Sequence, residues 1–202
     1  MSATDRVLVL DLGGVVCRWL PERRLVALAE LSGLPAATID QLVFESGFDD
    51  AGERGRYPLA EMTEQLADLL GLATSPDTDA ALRSAWAMAY EPVPAVVRLV
   101  RRAPQRTALF TNNGPLFEAA LSAELSAVGD AFDEVVASWR LGAAKPDPEA
   151  FERAGAALGV VAEQIVFFDD TEANVVAAAE AGWDAHRFTT ALDAQAVLAA
   201  RR

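Results

Sequence analysis

The sequence predicts an α/β protein: a doubly wound, Rossmann-like parallel sheet with a small α-helical cap inserted after the first strand. Three observations predict it. Four short, nearly unbroken apolar runs, Val7–Leu10, 107–110, Glu134–Ala137 and 165–168, read as strands buried on both faces. Ala/Leu/Glu-rich segments with helical spacing alternate with those runs, the rhythm of a doubly wound sheet. From Pro21 to about Tyr90 the alternation stops, and only helical segments broken by Gly and Pro are present.

In chain order, the first strand ends on Asp11. The insert's helices are expected near 21–31, 36–46, 58–70 and 77–89, with breaks at Gly33-Leu-Pro35, residues 52–55 and residues 71–76. Leu59, Met62, Leu66, Leu69 and Leu70 fit one face of a helix, and Phe44, Phe48 and Trp86 read as cap core. Glu91-Pro-Val-Pro94 is the expected return hinge. The division expected is a core of residues 1–16 and 92–202 and a cap of residues 17–91. In the second half, Pro148–Leu158 and 171–181 read as helices, the latter stopped by Gly182. A weak strand near 185–188 and a terminal helix from Ala191 close the chain.

Composition bounds the partners. Hydrophobic residues at 52% and charged residues at 23% describe a globular chain. A formal net charge of -13 argues against nucleic acid or an anionic membrane as bulk partner. It leaves an anionic small substrate open, because a bound divalent cation reverses the local field. Cys17 is the only cysteine, which excludes an intrachain disulfide and suits a reducing compartment. No N-terminal apolar core resembles a signal peptide, and no stretch approaches the roughly 18 apolar residues of a membrane span. The expected setting is the cytoplasm, as a monomer or small homo-oligomer.

Ligands of open α/β sheets bind beyond the carboxyl ends of the strands. There the sequence has Asp11-Leu-Gly-Gly-Val15, Thr111-Asn-Asn-Gly114, Lys145-Pro-Asp-Pro148 and Asp169-Asp-Thr-Glu-Ala-Asn174. Their joint chemistry is phosphoryl transfer. A carboxylate can attack phosphorus if a hard cation offsets the charges, so Asp11 is the candidate nucleophile. Asp11, Asp169 and Asp170 are the candidate Mg²⁺ ligands. Lys145 would neutralise phosphate charge and keep Asp11 ionised. Thr111 and the backbone around Asn112 would donate to phosphate oxygens, and Asn174 would support the metal site from one helix turn away.

These four segments, in this order at four strand ends, resemble the haloacid dehalogenase-like hydrolase superfamily. Within it the chain is similar to glucose-1-phosphatase-type members and to the phosphatase domain of bifunctional epoxide hydrolases. The resemblance implies a Mg²⁺-dependent phosphatase that hydrolyses a small phosphorylated metabolite, sugar phosphates favoured, through an aspartyl-phosphate on Asp11. It also implies that the backbone carbonyl of Gly13 contacts the metal. In most phosphatases of that superfamily the residue at the position of Gly13 is a second Asp, which protonates the leaving oxygen and then activates water. That role is worth about 10²–10⁴ in rate. With Gly13 there, it would fall to water, to the substrate's own group or to a cap residue. Esters whose leaving group needs little protonation, such as anomeric sugar phosphates or acyl phosphates, would be the favoured substrates. Two other readings fit Gly13: a weakened domain that binds a ligand or partner, and a metal-independent 2-haloacid dehalogenase, for which the Asp169-Asp170 pair has no use.

Of the remaining residues, Glu53-Arg-Gly-Arg-Tyr57 is the expected specificity loop, a polar segment with glycine freedom and an aromatic. Arg18 and Trp19 stand where the chain enters the cap, at the site mouth or in hinge packing. Cys17 reads as a small buried hydrophobe. His186, the only histidine, reads as structural, and Arg98, Arg101, Arg102 and Arg106 as a solvated helix end.

Overall fold

The computed structural model describes residues 6–200 of the 202-residue chain. Its strands are β1 (Val7–Leu10), β2 (Cys17–Trp19), β3 (Tyr90–Pro92), β4 (Arg106–Thr111), β5 (Glu134–Ala137), β6 (Ile165–Asp169) and β7 (Asp184–Arg187). The helices of the insert are α1 (Pro21–Ser32), α2 (Ala36–Ile39), α3 (Phe48–Glu53), α4 (Leu59–Leu69) and α5 (Pro76–Ala87). A π-helical stretch, Asp40–Glu45, continues α2. The rest are α6 (Pro94–Arg101), α7 (Pro115–Leu121), α8 (Ser126–Gly129), α9 (Ser138–Leu141), α10 (Pro148–Leu158), α11 (Glu172–Glu180) and α12 (Ala191–Ala199).

Five strands form one parallel sheet in the order β5-β4-β1-β6-β7. The apolar runs are continuous because both faces are covered. Leu8 and Leu10 of β1 join one core with Leu109, Val166 and Phe168. Val7 and Val9 join the other with Ala108, Phe110, Ile165 and Phe167. That second core centres on Phe110, Phe151, Phe167 and Trp183, whose rings meet edge-on or tilted. The first core runs without a break into the insert through Leu28, Ile39, Val43, Met62, Leu66 and Trp86. The helical insert therefore shares a hydrophobic interior with one side of the sheet.

Register sets up the chemistry. Leu10 lies level with Leu109 and with Phe168. Asp11 therefore leaves β1 beside the terminal Asp169 of β6, and Thr111 ends β4 one residue beyond them.

Three details differ from the sequence expectation. A two-stranded antiparallel ribbon, β2 with β3, joins the insert to the sheet. It consists of three-residue strands, too short to carry a period. Helix α3 runs through Gly52, expected as a break; a Cβ there would lie 2.8 Å from Met62 Cε, so this glycine serves close packing. Leu59 opens α4 at 41% exposure, while Met62, Leu66 and Leu70 are buried. Cys17 is fully buried. Among the described residues, no helix is long and apolar enough to cross a membrane.

Candidate active site

Parallel pairing of β1 with β6 sets Asp11 and Asp169 side by side, an arrangement that repels itself unless a cation intervenes. Lys145 intervenes. Its Nζ donates to Asp11 Oδ1 at 2.7 Å, Asp169 Oδ2 at 2.8 Å and the Phe110 carbonyl at 2.9 Å. All three ammonium protons are thereby used. Burial alone would lower the lysine's pKa, but the two carboxylates outweigh it and hold the pKa above the usual value. Burial is also the main effect on Asp11. Lys145 opposes it and Asp169 adds to it, leaving the Asp11 pKa raised to about 6.

Asp169 is fully buried. Besides Lys145, it accepts from the Thr171 N–H at 2.8 Å and from Asn174 Nδ2 at 3.1 and 3.0 Å. Asp170 is only partly buried; burial and then the charge of Asp169 raise its pKa. Carboxylate oxygens of Asp11, Asp169 and Asp170 lie within 4.8 Å of one another. Such a set of hard oxygen donors fits Mg²⁺ chemistry. Asn112 holds the lysine loop, donating through Nδ2 to the Lys145 carbonyl at 2.7 Å and accepting its N–H at 2.8 Å.

Thr111 is buried at the end of β4, and its proton is directed by a relay. Tyr90 Oη donates to Asn113 Oδ1 at 2.6 Å, which turns the Asn113 amide so that Nδ2 donates to Thr111 Oγ1 at 2.7 Å. With its oxygen accepting from Asn113, the threonine hydroxyl keeps its own proton for an acceptor in the crevice. Ser138, also buried, accepts the Asn113 N–H at 3.1 Å and donates to the Glu53 carbonyl at 2.7 Å. Nothing in the sequence pattern alone marks Asn113, Ser138 or Tyr90 for these roles. The Asn112-Asn113 doublet directly after Thr111 is the one local signal.

The two glycines after Asp11 have different tasks. Gly14 has φ +76°, and a Cβ there would lie 2.1 Å from Asp170 Oδ2, so its missing side chain is the space the Asp170 carboxylate fills. A Cβ on Gly13 would meet only Trp19 Cβ, at 3.8 Å. Gly14→Ala is therefore expected to cost about 2–4 kcal/mol from left-handed strain plus overpacking. That lowers Tm by about 5–10 °C for a chain of this size. Gly13→Ala should melt within about 2 °C of the parent. Equal melting of the two variants would show that Gly14 is not holding open the Asp170 position.

Asp11, Gly13, Thr111, Asn112, Lys145, Asp170 and Asn174 line one open crevice of about 270 Å³. That volume is below the range typical for drug-sized ligands and suits a small one. The insert and its ribbon contribute Trp19, Tyr90 and Glu53. Arg18 pairs instead with Glu91. Burial, then the charges of Asp49 and Asp50, raise the Glu53 carboxyl pKa to about 8 against the opposing pull of Arg24 and Arg54. His186 lies outside the crevice, bonded to Asp184 at 2.7 Å.

A family model described as haloacid dehalogenase-like hydrolase matches residues 6–182. Phosphatase MT3486 of Mycobacterium tuberculosis (strain CDC 1551 / Oshkosh) is 30% identical over 173 residues, covering 80% of this chain and 77% of that protein. Among solved structures, the HAD family enzyme bt-2542 of Bacteroides thetaiotaomicron, in complex with magnesium and inorganic phosphate, aligns with TM-score 0.69 and 23% identity. That alignment covers 91% of this chain and 93% of the other. L-2-haloacid dehalogenase of Xanthobacter autotrophicus aligns with TM-score 0.60 and 20% identity, over 94% of this chain and 81% of the other. At those identities the two structures show a shared fold.

Proposed function

The chain belongs to the haloacid dehalogenase-like hydrolases, and from that premise we propose that it is a Mg²⁺-dependent phosphomonoesterase acting on a small phosphorylated metabolite of the sugar-phosphate type. The observation that carries this reading is the crevice in which Asp11 accepts from a lysine that donates three hydrogen bonds and forms one carboxylate cluster with Asp169 and Asp170. Asp11 would attack phosphorus, and the leaving alcohol would depart with the ester oxygen. Water would then release phosphate from the aspartyl-phosphate.

In this reading Asp11, Asp169, Asp170 and the Gly13 carbonyl hold Mg²⁺, which supplies charge neutralisation for an anionic nucleophile meeting an anionic substrate. Lys145 keeps Asp11 ionised and adds positive potential at the transferring phosphoryl group. Thr111 donates its remaining proton to a phosphate oxygen, joined by backbone N–H groups near Asn112. Residues 17–91 act as the cap that selects the leaving group, over a core of residues 1–16 and 92–202. A cytoplasmic setting belongs to this reading, supported by the lone Cys17 thiol. The carboxylate cluster favours a phosphatase over a 2-haloacid dehalogenase, since a metal-independent displacement gains nothing from Asp170.

A panel of phosphate esters, acyl phosphates and 2-haloacids, assayed with Mg²⁺ and with EDTA, tests it. Phosphate release that falls at least about 10²-fold on chelation is expected. Halide release, or phosphate release indifferent to EDTA, would overturn the reading.

A further inference from the structure

Gly13 lacks the side chain that would protonate a leaving alcohol, and the space beside it is open as far as Trp19. Lys145 cannot lend a proton there, because its three donors are bound to Asp11, Asp169 and the Phe110 carbonyl. Tyr90 reaches the crevice, but its proton is committed to Asn113 at 2.6 Å, and burial pushes its pKa well above the usual phenol value. Asp11 and Asp170 belong to the anionic cluster around the nucleophile. One carboxyl remains among the residues lining the crevice, Glu53, at the C-terminal end of α3.

We propose that Glu53 is the general acid–base of this enzyme, supplied by the insert in place of the side chain missing at Gly13. The inference rests on the phosphatase reading above and goes beyond it by assigning the vacant step. Trp19 stands beside Gly13, its ring packs on Tyr90 at 5.0 Å, and Tyr90 is close enough to Glu53 to feel its charge. Gly13, Trp19, Tyr90 and Glu53 thus line one and the same crevice.

The loop is also held in place. Ser138 donates to the Glu53 carbonyl at 2.7 Å, and Arg54 pairs with Asp147 at 2.8 Å. Gly55 passes the Trp139 carbonyl so closely that a Cβ would lie 2.3 Å from it. A group on a segment braced in this way by the core can keep a fixed position over the reacting oxygen.

The charges facing Glu53 suit the task. Asp49 and Asp50 of its own helix disfavour the carboxylate, and Arg24 of α1 and Arg54 favour it. Buried Tyr90 of β3 lines the same crevice, and Asp11, Asp170 and Lys145 face it from the sheet. The balance leaves Glu53 mostly protonated at neutral pH, the state required of an acid. In the first half-reaction its proton passes to the ester oxygen as the P–O bond to the alcohol breaks and the bond from Asp11 forms. In the second, the carboxylate takes a proton from water as the water oxygen bonds phosphorus and the Asp11–phosphorus linkage breaks. Phosphate leaves, and both carboxyls return to their starting states. Because the acid comes from the insert, alkyl esters become substrates as well as leaving groups of low proton demand.

The test is kcat/KM for Glu53→Gln, Glu53→Asp and the parent on acetyl phosphate, p-nitrophenyl phosphate and a primary alkyl phosphate, with Asp11→Asn alongside. Glu53→Gln should lose about 10²–10⁴-fold on the alkyl ester and at most about tenfold on acetyl phosphate. Glu53→Asp should recover part of the alkyl activity. The alkaline limb of the parent's alkyl-ester profile, near pH 8, should vanish in Glu53→Gln. Adding Gly13→Asp to Glu53→Gln should restore alkyl turnover. A loss uniform across the three substrates, or no loss, overturns the assignment of Glu53 and leaves the phosphatase reading standing. Activity that survives Asp11→Asn overturns both.

Discussion

Asp11→Asn abolishes phosphate release, by about 10⁴-fold or more, and at the same time raises the melting temperature of the cation-free protein at pH 8. The first effect is the loss of the nucleophile, since an amide oxygen neither carries the charge nor forms the phosphoenzyme. The second follows from linkage. The Asp11 pKa rises from 3.8 to about 6 in the folded state, chiefly through burial. A raised carboxyl favours folding while protonated, so that contribution is present below pH 3.8 and is lost as pH rises through 6. At pH 8 the parent holds an ionised, desolvated Asp11 that asparagine removes, a difference on the order of 1–3 kcal/mol. Lys145 keeps its bonds to Asp169 and the Phe110 carbonyl in the variant, so no new buried charge is orphaned. Melting curves in EDTA at pH 4 and pH 8, beside the turnover assay, measure both effects. A variant equally active and no more stable at pH 8 would remove Asp11 from the mechanism.

That opposition between stability and activity explains which parts of the site were legible in the sequence. Asp11, Asp169 and Thr111 each end or follow an apolar run, so strand pattern and the rule about carboxyl ends locate them. Lys145 is legible through its local motif, although its partners lie 134, 24 and 35 residues away. Asn113 and Ser138 are not legible. Their roles come from contacts across 23 and 85 residues that no periodicity encodes. Glu53 belonged to a segment expected to confer specificity, but its protonation depends on Arg24 and Asp49 packing around it. The same holds for the fold. Four of the five sheet strands carry nearly continuous apolar signals and β7 (Asp184–Arg187) only a weak one, whereas Cys17–Trp19 and Tyr90–Pro92 form strands only because they find each other.

Lys145→Met is expected to be the most destabilising single change in the site, by about 3–5 kcal/mol at neutral pH, and to reduce turnover by at least about 10³-fold. Methionine fills comparable volume, so the cost is electrostatic. Asp11 and Asp169 would remain adjacent on neighbouring strands with their shared cation gone. In the parent, Asp11 is held to about 6 with the help of Lys145, and without it the carboxyl must rise further. The sign of the pH dependence follows. Folded-state pKa values farther above the unfolded value make stability fall more steeply as pH increases, so the deficit is small near pH 4 and full by pH 8. Magnesium should narrow it if the ion is held by the same carboxylates. Denaturant titrations of parent and variant at those two pH values, each with EDTA and with Mg²⁺, supply the comparison. A deficit independent of pH would mean that Lys145 contributes through packing of its stem. A deficit growing with pH and shrinking with Mg²⁺ would make the lysine and the cation alternative answers to one repulsion, that between Asp11 and Asp169.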